Sequence, residues 1–434
     1  MDENKLQLRK DGTLLFLIIS IHIICWFAMK PIFPQSDPLV YFINAKRILN
    51  HEYFFSYSIQ GHRFGVFVPQ AFFMWLFGES PYIINLWVLI CSILTIVLVY
   101  FFVQKNISTN VAFTAGLLLS VNLIQIIYSV VVFPDNIASF FILICACFIY
   151  RGRRDAQGWL KNSLGFILGF ALAFTAKESI ILIIPFTIFI FWNDWRKKQS
   201  LTFQKSTGLL LIAFVFFIFT ASKILTGDFI FFYRSFGMYQ DFVPFPHITA
   251  FIKRFTYEPL LWLNSQVGYI FLVIFCIPSF ISGIRKKDNF ISTESYVALY
   301  FAFLLMELWW GNISLNFQLG ALTITDRRWM MIIAPLCILS ALTIQNILCD
   351  QDAKKSLFFL IIAFALLAIF NTIEYSFVRG CLFFAFASML ILQEFLRKKI
   401  KDNYWIRIGI ILLPFFILAI QFLRTNSNYV VPVN

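Results

Sequence analysis

Residues 31–78 read PIFPQSDPLVYFINAKRILNHEYFFSYSIQGHRFGVFVPQAFFMWLFG, and hydrophobic spans lie on both sides of them. It is the only long polar-bearing segment near the N-terminus. An acid, Asp37, sits a few residues beyond the first apolar span. A helix-like run from Pro38 to Asn50 follows it. His62-Arg63-Phe64-Gly65 then leads into a very apolar stretch ending at Phe77-Gly78. This pattern describes a loop lying on a membrane face, with amphipathic helices in the interface plane.

Composition agrees. The 434 residues are 60% hydrophobic and only 13% charged, where a soluble domain carries about 25% charged residues. With a mean hydropathy of +0.80, the chain reads as an all-α polytopic membrane protein. A net charge of +13 would point to nucleic acid in a soluble protein. Here the basic residues fall in short clusters between apolar spans, which is the pattern that orients membrane proteins. The reading is therefore membrane lipid and no nucleic acid. All eight cysteines lie in or at the ends of apolar spans, where they act as small hydrophobes. No Cys/His spacing suggests zinc.

Working outward, the first span, 13–29, lacks a small-residue cleavage site and reads as an uncleaved helix with a cytoplasmic N-terminus. Further spans are expected near 82–104, 109–128, 134–150, 163–176, 178–193, 208–226, 264–283, 293–310, 328–348, 356–373, 379–396 and 404–423, about thirteen in all. Alternation then places Arg151/Arg153/Arg154, Arg196/Lys197/Lys198, Arg285/Lys286/Lys287, Lys354/Lys355 and Arg397/Lys398/Lys399/Lys401 on the cytoplasmic side. Every basic run longer than two lands there. The opposite face receives loop 31–81, the turn at Pro134-Asp135, the junction Lys177-Glu178, and loops 227–263 and 311–327. No soluble domain is expected.

The residues able to carry chemistry gather on that outer face. Asp37 followed by Pro38 makes a good helix start, with the acid as N-cap. It is equally placed to be a general base at the water boundary, with Tyr41, Asn44 and Ile48 on its side of the helix. Asp135, in Phe133-Pro134-Asp135-Asn136, invites the same two readings. Together the acids would flank one reacting centre or share a divalent cation, Mg or Mn, through oxygen ligands. Arg63, with His62 before it, either anchors the following stretch to headgroups or grips a lipid-linked phosphate by its fork. Lys177-Glu178 is either a neutralised tight turn or a functional pair at membrane depth. Asp326-Arg327-Arg328 precedes the span that starts at Trp329. As an outer double-basic site it is a phosphate candidate that topology does not explain.

Taken together, these residues resemble a family, the membrane-embedded GT-C glycosyltransferases. The pattern is similar to that of the bacterial protein O-mannosyltransferase and lipid A aminoarabinose transferase group. Asp37, Tyr41 and Ala45 match its acid after the first span. His62/Arg63, Pro69, Phe77 and Gly78 match a basic residue and proline before an aromatic stretch. Asp135 matches a second acid opening the fourth span, and Lys177 and Glu178 match a Lys-Glu after the fifth. Arg327, Arg328, Trp329 and Pro335 match a basic-aromatic start to a late span. Pro38 stands where many relatives carry a second acid. The resemblance covers about residues 13–345 as the catalytic module, with 346–434 supplying additional transmembrane helices.

The resemblance implies a GT-C fold and an inverting sugar transfer. The donor would be a polyprenyl-phosphate-linked sugar, and the acceptor a lipid, glycan or protein on the outer face of the plasma membrane. Asp37 would be the base and Asp135 would position the acceptor or assist. Arg63, Lys177, Arg327 and Arg328 would hold the phosphate, with Tyr41, His62, Glu178 and Asp326 in support. Two alternatives share the lipid-linked sugar: a transporter or flippase, which needs polar residues within its spans, and a surface-polysaccharide polymerase or ligase.

Overall fold

The computed structural model describes residues 3–231, 242–244, 267–310, 320–322, 329–349 and 354–374, apart from short gaps at 32, 35, 55–58, 156, 178–179, 182, 198–200, 287 and 289, together with a few residues between 385 and 391. The helices are α1 (Glu3–Met29), α2 (Asp37–Leu49), α3 (Phe64–Phe77), α4 (Pro81–Ile84), α5 (Leu86–Asn106), α6 (Thr109–Ser120), α7 (Leu123–Val130) and α8 (Pro134–Gly152). They continue with α9 (Trp159–Ala176), α10 (Ile183–Arg196), α11 (Thr202–Thr226), α12 (Val267–Arg285), α13 (Thr293–Trp310), α14 (Met330–Cys349) and α15 (Lys354–Glu374). A two-stranded antiparallel ribbon joins β1 (Phe242–Pro244) to β2 (Gly320–Leu322). It ties together two of the loops assigned to one face.

Among the described residues, six helices are long and apolar enough to cross a membrane, or seven if α6 and α7, bent by 54°, form one broken span. Each expected span from 13–29 to 356–373 has its helix or helix pair. Those at 379–396 and 404–423 fall almost wholly outside the described residues. The helix over the expected span 163–176 is longer than that span, because α9 starts at Trp159. α9 ends at Ala176 and α10 starts only at Ile183.

α8 and α14 are almost wholly enclosed and pack on each other, with α5, α6 and α12 around them. α11 instead exposes Leu209, Ile212, Phe216 and Phe217, as a lipid-facing helix must where no water rewards burial. The breaks are chemically ordinary. Ser108 and Asn122 accept the N–H groups of Val111 (3.3 Å) and Gln125 (3.1 Å), capping α6 and α7. α11 stops at Gly227, whose φ of 78° is open to glycine.

One end of the bundle is basic. Arg153, just after α8, forks onto Asp194 of α10 at 2.7 and 2.9 Å and donates to the Phe290 carbonyl at 2.9 Å. Gln204 of α11 donates to the same carboxylate at 2.9 Å. Three basic clusters assigned to one side thus meet at one end of the fold.

Candidate functional site

The other end of α8 carries Pro134 at its first position and Asp135 at its second. Proline needs no helical N–H there, so the turn forms without a side-chain cap. Asp135 is fully buried, and Lys177 Nζ lies 2.5 Å from its Oδ1. Lys177 follows α9 directly. The two sit 42 positions apart, and each was first read with a different partner: Lys177 with Glu178, and Asp135 with Asp37.

α2 and α3 pack side by side, and α3 lies against α9 and α8, which carry this pair. α2 turns Tyr41, Asn44 and Ala45 inward and leaves Leu39 and Ile43 exposed. Its polar-bearing face is thus buried and its apolar face looks out, as an interfacial helix requires. Asp37 is half-buried in the first turn. Its expected place as N-cap is corrected: Ser36 occupies that position, at φ 55° and ψ −132°, with no side-chain cap bond. Such a backbone costs a non-glycine residue about 1–3 kcal/mol and is commonest at functional sites.

Arg63 stands at the N-cap of α3 and donates from Nη1 to the Tyr41 hydroxyl at 2.5 Å. His62 is buried, its ring edge-on to Phe231 at 5.0 Å. Tyr53, absent from the sequence-based candidates, donates to the Gly61 carbonyl and packs against Phe64 and Phe67. Burial pushes its hydroxyl up to about 12, so it stays a donor at neutral pH.

Gly65 closes the circuit. A Cβ there would lie 2.7 Å from Thr175 Oγ1 and 2.9 Å from the Ala176 nitrogen, so the start of α3 touches the end of α9 beside Lys177. Trp87 Nε1 donates to the Gly65 carbonyl at 2.9 Å. Asn136, next to Asp135, donates to the carbonyls of Tyr128 (2.9 Å) and Val88 (3.2 Å). The path Tyr41, Arg63, Gly65, Ala176, Lys177, Asp135, Asn136, Val88, Trp87 therefore returns to Gly65. Glu178, Asp326, Arg327 and Arg328 lie outside the described residues.

The ring gathers two cations, Arg63 and Lys177, and the Asp135 carboxylate, groups of the kind that anion handling requires. Among the described residues there is no group of three His, Cys, Asp or Glu side chains that could hold a metal ion, and the Lys177 ammonium lies on Asp135 Oδ1. Trp87 and Asn136 were missed from the sequence because what they bond is backbone carbonyl, which no motif records.

Comparison with known proteins follows the same lines. Residues 63–222 match the family described as dolichyl-phosphate-mannose-protein mannosyltransferase. No curated protein sequence matches the chain. The fold is similar to that of ArnT from Cupriavidus metallidurans bound to undecaprenyl phosphate, with 13% identity, 94% of this chain and 76% of that chain covered, and a TM-score of 0.58. It is also similar to the Archaeoglobus fulgidus oligosaccharyltransferase in its apo form, with 10% identity, 94% and 55% covered, and a TM-score of 0.55. AglB from the same organism, in complex with an inhibitory peptide and a dolichol-phosphate, matches at 11% identity, 96% and 56% covered, and a TM-score of 0.53. The chain spans about half the length of those oligosaccharyltransferases. In both the family match and the fold the chain is similar to membrane glycosyltransferases of the GT-C type.

Proposed function

We propose that this chain is an inverting glycosyltransferase that moves a sugar from a polyprenyl-phosphate carrier to a hydroxyl-bearing lipid, glycan or protein. Residues 13–345 are its catalytic module, and the reaction faces the outside of the plasma membrane, with the N-terminus cytoplasmic. The supporting observation is the closed circuit that joins the Arg63–Tyr41 contact to the Lys177–Asp135 pair. ArnT and AglB, which share the fold, bind undecaprenyl phosphate and dolichol-phosphate.

The chemistry follows from the donor. Its lipid stays in the bilayer, so transfer occurs at the interface. The acceptor hydroxyl attacks the anomeric carbon from the face opposite the phosphate. Its proton passes to the Asp37 carboxylate, a positioned base of the kind worth about 10²–10⁴-fold in rate. The C–O bond to phosphate breaks, and the electron pair leaves on the phosphate oxygen. Arg63 and Lys177, with Arg327 and Arg328 from the sequence pattern, receive that charge where fixed cations act most strongly. Lys177 has three protons to donate, so a phosphate oxygen can join Asp135 on it. Asp135 positions the acceptor; Tyr41 holds Arg63. Glu178 orients Lys177, and His62 and Asp326 support the cations.

A flippase would need polar groups along a path through the spans. Asn122 and Gln125 instead serve a helix cap and the Ser92 hydroxyl. Purified protein in nanodiscs should transfer sugar from a polyprenyl-phosphate donor without a sealed compartment. Asp37→Asn should reduce transfer about 10³-fold with thermal stability retained. Near-normal transfer by that variant removes Asp37 as the base, and an inactive unmodified chain removes the transferase reading.

A further inference from the structure

Pro69 sits inside α3, and it has no N–H. The helical ladder therefore sends nothing to the carbonyl four residues earlier, which is that of Gly65. The Trp87 indole N–H takes that place at 2.9 Å. The next residue in the chain, Val88, offers its own carbonyl to Asn136 at 3.2 Å. Asn136 also satisfies the Tyr128 carbonyl, one of the last of α7, at 2.9 Å. Ser129, the residue after Tyr128, has its carbonyl filled in turn by the Trp26 indole at 2.7 Å. The Gly65, Tyr128 and Ser129 carbonyls are thus each taken by a side chain from another helix. In a membrane an unadopted one would cost several kcal/mol.

We propose that Trp87 and Asn136 are positioning residues forming the two arms of a single yoke at the first turn of α5. Trp87 holds the start of α3, and with it Arg63, through the carbonyl that Pro69 leaves open. Asn136 holds the start of α8, and with it Asp135. Because the two arms attach at consecutive residues, the spacing between the phosphate-binding half and the acceptor half is set by one rigid turn. Neither residue touches substrate. The inference rests on the glycosyl-transfer reading of the site.

The test reads polyprenyl phosphate binding and sugar transfer in nanodiscs. Trp87→Phe keeps the ring and removes one N–H. It should weaken polyprenyl phosphate binding and raise the donor KM about three- to tenfold, the size of one buried hydrogen bond, with kcat within about twofold. In an Arg63→Ala background it should add nothing further, because both changes act through one guanidinium. Pro69→Ala restores a backbone N–H to the Gly65 carbonyl and should rescue the thermal stability of Trp87→Phe but not its donor KM, because the tie between α5 and α3 stays cut. Asn136→Leu should lower kcat about 10- to 100-fold and leave phosphate binding within about twofold. Additivity of Trp87→Phe with Arg63→Ala, or rescue of the donor KM by Pro69→Ala, overturns the yoke while leaving the transferase intact. An unmodified chain that neither binds polyprenyl phosphate nor transfers sugar overturns the site reading and the yoke with it.

Discussion

α8 has a buried ion pair at each end, about 27 Å apart by helical rise. At its start Asp135 meets the Lys177 ammonium. At its finish Arg153 meets Asp194. By burial alone they are alike. They differ in what surrounds the charge. The Arg153 fork is engaged by both oxygens of Asp194 and by the Phe290 carbonyl, and Gln204 fills a further place on the carboxylate. A planar guanidinium held this way is a fastener joining α8, α10, α11 and the α12–α13 turn. The Lys177 ammonium is a point charge on a flexible stem, directly after the end of α9 and beside the close approach of Gly65. A buried ion pair therefore says little about function until its neighbours are known.

The largest expected difference comes from replacing each pair whole. Removing one partner leaves a buried charge alone and costs about 3–5 kcal/mol, whereas replacing both with apolar residues is often near neutral. Arg153→Met alone should lower stability by that amount, and adding Asp194→Leu should recover about half while transfer stays within severalfold of the unmodified chain. Asp135→Leu with Lys177→Met should likewise stay folded, but lose about 10³-fold in transfer, or ~4 kcal/mol of transition-state stabilisation. Thermal unfolding and transfer measured on the same four preparations check this. Equal transfer by the two double variants would make the start of α8 a fastener too.

A smaller effect is expected at the contact that joins α3 to α9. Gly65→Ala sets a methyl 2.7 Å from Thr175 Oγ1 and 2.9 Å from the Ala176 nitrogen, closer than packed atoms stand. Overpacking of this kind costs about 1–3 kcal/mol, and it pushes Arg63 away from Lys177, so transfer should fall about tenfold. Thr175→Ala removes the softer obstacle and leaves the backbone one, so it should rescue in part. Full activity in Gly65→Ala would separate the two halves of the site.

The sequence pattern was most informative where periodicity or charge sidedness carried the signal. The inward face of α2 follows from helical spacing, so Tyr41 was legible as an inward residue, though not as the acceptor of Arg63. The meeting of the 151–154, 196–198 and 285–287 clusters at one end follows from the positive-inside pattern. The pairing of Lys177 with Asp135 was not legible. Lys177 has an acid beside it at Glu178, and nothing in one sequence ranks a neighbour below an acid 42 positions away. Ser36 rather than Asp37 caps α2, because cap identity depends on one backbone angle that Asp37-Pro38 does not set. Trp87 has no pattern of its own. The clue to it was Pro69, whose missing N–H announces an open carbonyl without saying which donor fills it.

The smallest effect expected lies at the finish of α8, in the turn that presents the Phe290 carbonyl to Arg153. Burial alone pushes the Asp288 carboxyl up. Hydrogen bonds from the Ser292 and Ser295 side chains and from the backbone N–H groups of Ser292 and Phe290 outweigh that, so it titrates below its ordinary value. A lowered folded value means that the stabilisation is present above about pH 4, near the unfolded value, and is lost as pH falls through the folded one. The group is partly exposed and screened, so the contribution is about 0.5 kcal/mol. Asp288→Asn keeps the shape and discards the charge. The melting temperature of the unmodified chain should fall more steeply between about pH 5 and 3 than that of the variant, the two converging at the acid end. Parallel curves would mean that the turn is held by its backbone alone, and that the Arg153 fastener does not depend on the charge of Asp288.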